Sequence, residues 1–166
     1  MRAIVNATPL IALALVDQLE LLRQIFDQVM VPESVYTEVS GRGSERPGAE
    51  AIVRAKWLQI ETPQTRPTIE PLLMGLDQGE LDVLLLAQET RPDWVIIDER
   101  LGRRAARALG LPLKGTVGIL LTAGLSDLRS KSDLLADLSQ MMAKGIRLSP
   151  HLHQWLQEEL ERAGVN

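Results

Sequence analysis

Short apolar runs alternate along the chain with longer segments whose apolar residues recur at helical spacing. AIV at 3–5, VMV at 29–31, WLQIE at 57–61, WVIID at 94–98 and the segment 111–113 read as strands. After the first strand, Thr8 is expected as an N-cap and Pro9 as the first helical residue. Asp17 and Glu20 have capping-box spacing ahead of Leu21, Leu22 and Ile25, and Pro32 opens the helix ESVYTEVS. Further helices are expected over 49–56, 78–89, 99–109 and 116–125, the last two stopped by Gly110 and Gly124. Segments 132–144 and 150–162 predict a helical hairpin, with Leu134, Leu138 and Met141 facing Leu152, Trp155, Leu156 and Leu160, and Ser149–Pro150 as its second cap and start. Gly, Ser and Pro make 40–48 a loop, and the prolines of 62–76 a connector in which 72–74 forms at most a helical turn. Strands of this kind alternating with helices predict an α/β fold, a parallel sheet covered on both faces with a C-terminal helical hairpin.

Composition narrows the class. A chain of 166 residues with 45% apolar and 24% charged residues has the makeup of one globular domain spanning 1–166. With Cys 0 there is no disulfide framework and no thiolate metal site. Only 3% of residues are aromatic, too few for a sheet of base-stacking rings. The longest apolar stretches fall short of a bilayer span, and Asn6, Thr8 and Pro9 interrupt the N-terminal one, so a cytoplasmic protein without a membrane segment is expected. The formal charge is −4, but the basic residues are 14 Arg and 4 Lys, so local arginine clusters carry more information than the balance.

Ligands of parallel sheets collect at the C-terminal strand ends. Asn6, Glu38, Glu80 and Asp98 fall there or in the helices that follow. Three are carboxylates, which suit a hard divalent cation such as Mg²⁺ or Mn²⁺ that can activate water for phosphodiester hydrolysis. Each has a second reading: Glu80 completes a capping box with Asp77, Glu38 lies at the edge of an apolar stripe, and Asp98 suits a cap for helix 99–109. Arg100, Arg103, Arg104 and Arg107 share one helix face directly after Asp98, opposite an expected buried stripe of Leu101, Ala105, Ala108 and Leu109. That face is either solvated or a contact for a phosphate backbone, with Lys114 and Arg42 as additions; Thr116, at a helix N-terminus, suits a phosphate or a plain N-cap equally. His151 and His153 point different ways on their helix and make no metal pair. No dinucleotide or P-loop glycine signature is present.

The segments IVNATPLIALA, VPESVYTEV, LDQGELDVLLLA, VIIDERLGRRAARALGLPLKGTVGIL and GIRLSPHLHQWLQEEL, in this order, resemble a prokaryotic branch of the PIN-domain nuclease superfamily related to VapC-type toxins. The resemblance covers nearly the whole chain. It implies a three-layer α/β/α fold, Mg²⁺- or Mn²⁺-dependent ribonuclease activity, homodimers and a small antitoxin partner. Carried over are Glu38 in VYTEV, Glu80 in GEL and Asp98 in IIDER as metal-holding acids. Where the family usually has Asp, this chain has Asn6, one negative charge fewer for a hard cation. Two functions follow, a toxin-like metal-dependent endoribonuclease, or a degenerate module that binds RNA or a protein without cutting.

Overall fold

The computed structural model describes residues 1–41, 47–65 and 75–166; Arg42, the turn expected at 72–74 and the central parts of loops 40–48 and 62–76 lie outside them. Among the described residues, five strands form one parallel sheet. They are β1 (Arg2–Val5), β2 (Gln28–Pro32), β3 (Gln59–Glu61), β4 (Trp94–Ile96) and β5 (Leu113–Lys114), in the order β3-β2-β1-β4-β5. The chain fills one side of β1 and then crosses to the other, so the topological switch falls between β1 and β4. Ala3, Ile4 and Val5 of β1 and Val95 and Ile96 of β4 are fully buried, as continuous apolar runs in a sheet covered on both faces must be. Register pairs Val5 with Ile96, and the Asn6 N–H extends the ladder by donating to Ile96 O at 2.9 Å.

The helices among the described residues are α1 (Ala7–Leu15), α2 (Leu21–Ile25), α3 (Glu33–Ser40), α4 (Ala49–Arg54), α5 (Gln78–Thr90), α6 (Arg100–Ala108), α7 (Thr116–Leu125), α8 (Lys131–Ala143) and α9 (His151–Arg162). The fold is the expected α/β sandwich. Helix α5 packs on β1 and β2 with α3 and α6 beside it, while α7 gathers α2, α8 and α9. Every residue of α5 from Val83 to Ala87 is buried, which explains its apolar circumference. No helix among the described residues is long and apolar enough to cross a membrane.

Several local expectations are corrected by tertiary contacts. The N-cap of α1 is Asn6, whose side chain makes no capping bond to the helix, and Thr8 lies inside the helix. Asp17 adopts φ +56° and caps nothing; Glu20 flanks α2 without a side-chain cap and pairs with Arg23 instead. Pro150, not Ser149, flanks α9. Gly124 does not stop α7 but sits within it, where an added Cβ would lie 2.5 Å from Leu160 Cδ2, so the missing side chain lets α9 approach. The buried stripe of α6 is Gly102, Ala105 and Ala106; Leu101 is 49% exposed and Ala108 is exposed. In the hairpin Leu134, Leu138, Met141, Leu156 and Leu160 are fully buried as expected, whereas Trp155 is 39% exposed.

The burial of Leu138 predicts that Leu138→Ala costs about 2–5 kcal/mol of stability in urea unfolding, by lost transfer energy and a residual cavity. Leu101→Ala, on the exposed face of α6, should change it by under about 0.5 kcal/mol. Equal effects would contradict the assigned orientation of the hairpin and α6.

Candidate functional site

The switch between β1 and β4 brings Asn6 and Asp98 to one edge of the sheet. A cavity of about 710 Å³ opens there, and its lining includes Thr8, Glu80, Asp98, Glu99, Arg100 and Arg147. Of the four positions expected to converge, Glu80 and Asp98 line it, and the buried Asn6 adjoins it through a 2.9 Å hydrogen bond from Nδ2 to Glu99 Oε2. Glu38 is exposed and not among the lining residues. Its Oε2 lies beside the first turn of α5, 3.6 Å from where a Cβ on Gly79 would stand.

Glu99 is a further acid of the cavity, one that hydrophobic period and spacing do not single out. It is the N-cap residue of α6 by backbone, and its carboxylate accepts from both the Asn6 amide and the Thr8 hydroxyl. The sequence signal was present in the adjacent acids of IIDER, but a second acid beside a strand end usually reads as a solvated helix start. Arg147, in the segment joining α8 to α9, was also unmarked, because nothing local to it says that the hairpin folds back over the sheet edge.

Glu80 closes the expected capping box and also lines the cavity. Its backbone N–H donates to Asp77 Oδ1 at 2.7 Å and its Oε2 accepts from the Asp77 N–H at 3.0 Å, a complete capping box, while only 5% of the residue is exposed. Burial pushes its carboxyl above the ordinary value, the hydrogen bond from Asp77 opposes this, and the charges of Asp77 and Glu99 add to it. Asp98 is not the cap of α6. Its Oδ1 accepts from the Thr116 N–H at 2.9 Å and its Oδ2 from the Thr116 hydroxyl at 2.5 Å, which ties the end of β4 to the start of α7. Burial raises the Asp98 carboxyl too, against both Thr116 hydrogen bonds, with Glu99 raising it further and Arg103 lowering it. This contact requires glycine at 115, where a Cβ would stand 2.6 Å from Asp98 Oδ1 and 3.0 Å from Arg103 Nη1.

The basic residues divide. Arg103 turns inward, half-buried, and donates to Ile97 O at 2.8 Å, whereas Arg100, Arg104 and Arg107 are exposed. Burial lowers the Arg103 value first, and the Arg107 charge lowers it further. Lys114 stands 4.0 Å from the centre of the Trp94 ring and 3.4 Å from Thr122 Oγ1. Thr116 is fully buried and gives both of its donors to Asp98 rather than leaving them for a phosphate. His151 and His153 bond Ser149 and Ser139 respectively and do not converge.

Among the described residues no three carboxylates or imidazoles close into a metal cage. The donor chemistry fits a hydrated hard cation, which takes one or two carboxylates and keeps several waters. Glu80, Asp98 and Glu99 line one cavity, two of them with ionisation resisted by burial, and each carboxylate oxygen retains an acceptor position beside its present hydrogen bond.

A parallel α/β sandwich with acids gathered at its switch point defines the general class. Residues 2–162 match a family model described as a PIN domain, and the chain belongs to that family. Comparison with curated proteins and with solved structures gave no match.

The raised Glu80 value has a pH consequence. Stability linked to its protonation is fully present below the unfolded value near 4.5 and is lost as pH rises through the higher folded value. Glu80→Gln keeps a residue suited to the box but removes the ionisation. Thermal unfolding between about pH 4 and about pH 7 should therefore show a shallower fall in stability with rising pH than the parent. Identical slopes would mean that Glu80 ionises freely.

Proposed function

We propose that this chain is a metal-dependent endoribonuclease of toxin-antitoxin type, related to VapC-type toxins, that hydrolyses RNA phosphodiester bonds. The observation that carries the reading is the convergence of Glu80, Asp98 and Glu99 in one cavity beside Arg100 and Arg147. Glu80, Asp98 and Glu99 would hold Mg²⁺ or Mn²⁺, with Glu38 near the first turn of α5 as a more distant acid. Bound there, the cation supplies Lewis acidity toward the phosphoryl group and lowers the pKa of a water. Thr8 and Asn6 fix the Glu99 carboxylate, and Thr116 fixes Asp98, so two acids enter the reaction already oriented. Arg100 and Arg147 at the cavity, and Arg104 and Arg107 farther along α6, meet the RNA backbone. Lys114 borders the adjoining surface. A cytoplasmic location, homodimers and a small antitoxin belong to the same proposal.

The second reading, a module that binds RNA or a protein without cutting, is favoured by one contact. Asn6 already satisfies Glu99 with a neutral donor, where an aspartate would need a cation between the two carboxylates.

Asn6→Asp separates the readings. In EDTA the variant should melt below the parent, because a carboxylate at the buried position 6 would face that of Glu99. With Mn²⁺ it should gain more stability than the parent and cut a mixed RNA pool faster, while Glu80→Gln and Asp98→Asn abolish cleavage. No Mn²⁺-dependent stabilisation and no cleavage in either the parent or Asn6→Asp would establish the binding module.

The exposed arginines give an independent test. Replacing Arg104 and Arg107 with Ala should lower the salt slope of RNA binding by about 0.7 per lost contact, the value for single strands. An unchanged slope would make this face merely solvated.

A further inference from the structure

A second cavity, of about 670 Å³, lies across Asp98 from the acidic one and shares Asp98 and Arg147 with it. Its size is that of a small-molecule site. The two cavities are chemically unlike. The second has an apolar wall that includes Leu113, Val117, Leu121 and Leu152, and its polar lining includes Arg103, Lys114, Arg147 and His151. Its acidic lining residue is Asp98, whose two oxygens are engaged by Thr116. Trp155 also lines it and stays 39% exposed, although Leu134, Leu138, Met141, Leu156 and Leu160 of the hairpin seam are fully buried. His151 and Trp155 are four residues apart on α9 and so share a face.

These features ask for a ligand with a flat ring and a negative charge. The indole and the aliphatic wall suit the ring. Among the cations, Arg103 has one donor on Ile97 O and Lys114 lies over Trp94, while Arg147 has no hydrogen-bond or ion-pair partner among the described residues. Arg147 also stands where the two cavities meet. A phosphate placed on it lies between the acidic cavity and the aromatic one.

We propose that the second cavity is a nucleotide subsite, in which one base packs on Trp155 and its phosphate is held by Arg147. As a subsite for the strand being cut it rests on the ribonuclease reading; as a mononucleotide site it does not. It explains why an indole at a helix position that otherwise suits the hairpin core is left open to solvent. It also gives the chain one stacking position despite the scarcity of aromatic residues.

The test is binding to the full chain in EDTA, with adenosine 5′-monophosphate, inorganic phosphate and a non-cleavable 2′-O-methyl RNA hexamer as probes, measured by calorimetry. The mononucleotide should bind more tightly than phosphate. Trp155→Ala should weaken mononucleotide and hexamer about tenfold, the scale of one lost base–aromatic stack, and leave phosphate unaffected. Trp155→Phe should restore most of the loss. Arg147→Ala should weaken all three probes and lower the salt slope of hexamer binding by about 0.7. Since no cation and no cleavage are involved, nucleotide binding that depends on Trp155 in a protein that cuts nothing leaves the subsite standing and removes only the nuclease. Mononucleotide binding no tighter than phosphate, or unchanged in Trp155→Ala, overturns the subsite even if RNA is cleaved, and leaves the face to a protein partner.

Discussion

The parallel pairing of β1 with β4 is the constraint on which the site depends. Both strands are buried and apolar, so their polar successors, Asn6 after β1 and Asp98 and Glu99 after β4, must leave the sheet at the same edge. The bond from Asn6 N–H to Ile96 O fixes the offset between them and so the distance at which the side chains meet. Since α5 packs on β1 and β2, Glu80 in its first turn enters the same cavity. No loop flexibility is needed to assemble the acids.

Concentrating carboxylates at a buried edge has an electrostatic cost, and the neighbouring residues reduce it without neutralising it. Thr116 gives Asp98 two hydrogen bonds, Asp77 gives Glu80 one from its backbone, and Asn6 and Thr8 both donate to Glu99. Hydrogen bonds to a charged carboxylate favour ionisation, yet burial outweighs them at Glu80 and Asp98, whose values remain raised. Such a site is orientated but under-compensated, a state that a cation relieves and that a neutral Asn6 relieves in part.

The C-terminal hairpin completes the surroundings. Its seam of leucines sets the position of α9, and Gly124 permits the close approach of Leu160 to α7. The joining segment then carries Arg147 to the boundary between the acidic cavity and the aromatic one. A packing choice in the core therefore decides what stands in front of the acids.

Local pattern alone was enough for the order of strands and helices, because buried parallel strands and helix stripes differ in period. It also marked Glu80 and Asp98, since strand ends and helix starts are visible in the chain. The Asp77–Glu80 box was legible for the same reason, all of its atoms lying within one turn. Tertiary structure decided what those groups face. That Asp98 bonds Thr116 rather than capping α6, that Trp155 leaves the hairpin seam, and that Glu99 joins the acids all depend on residues far apart in sequence. Hydrophobic period encodes which face of an element is buried. The partner of a polar group on that face is set by how several elements pack together, which no local pattern contains.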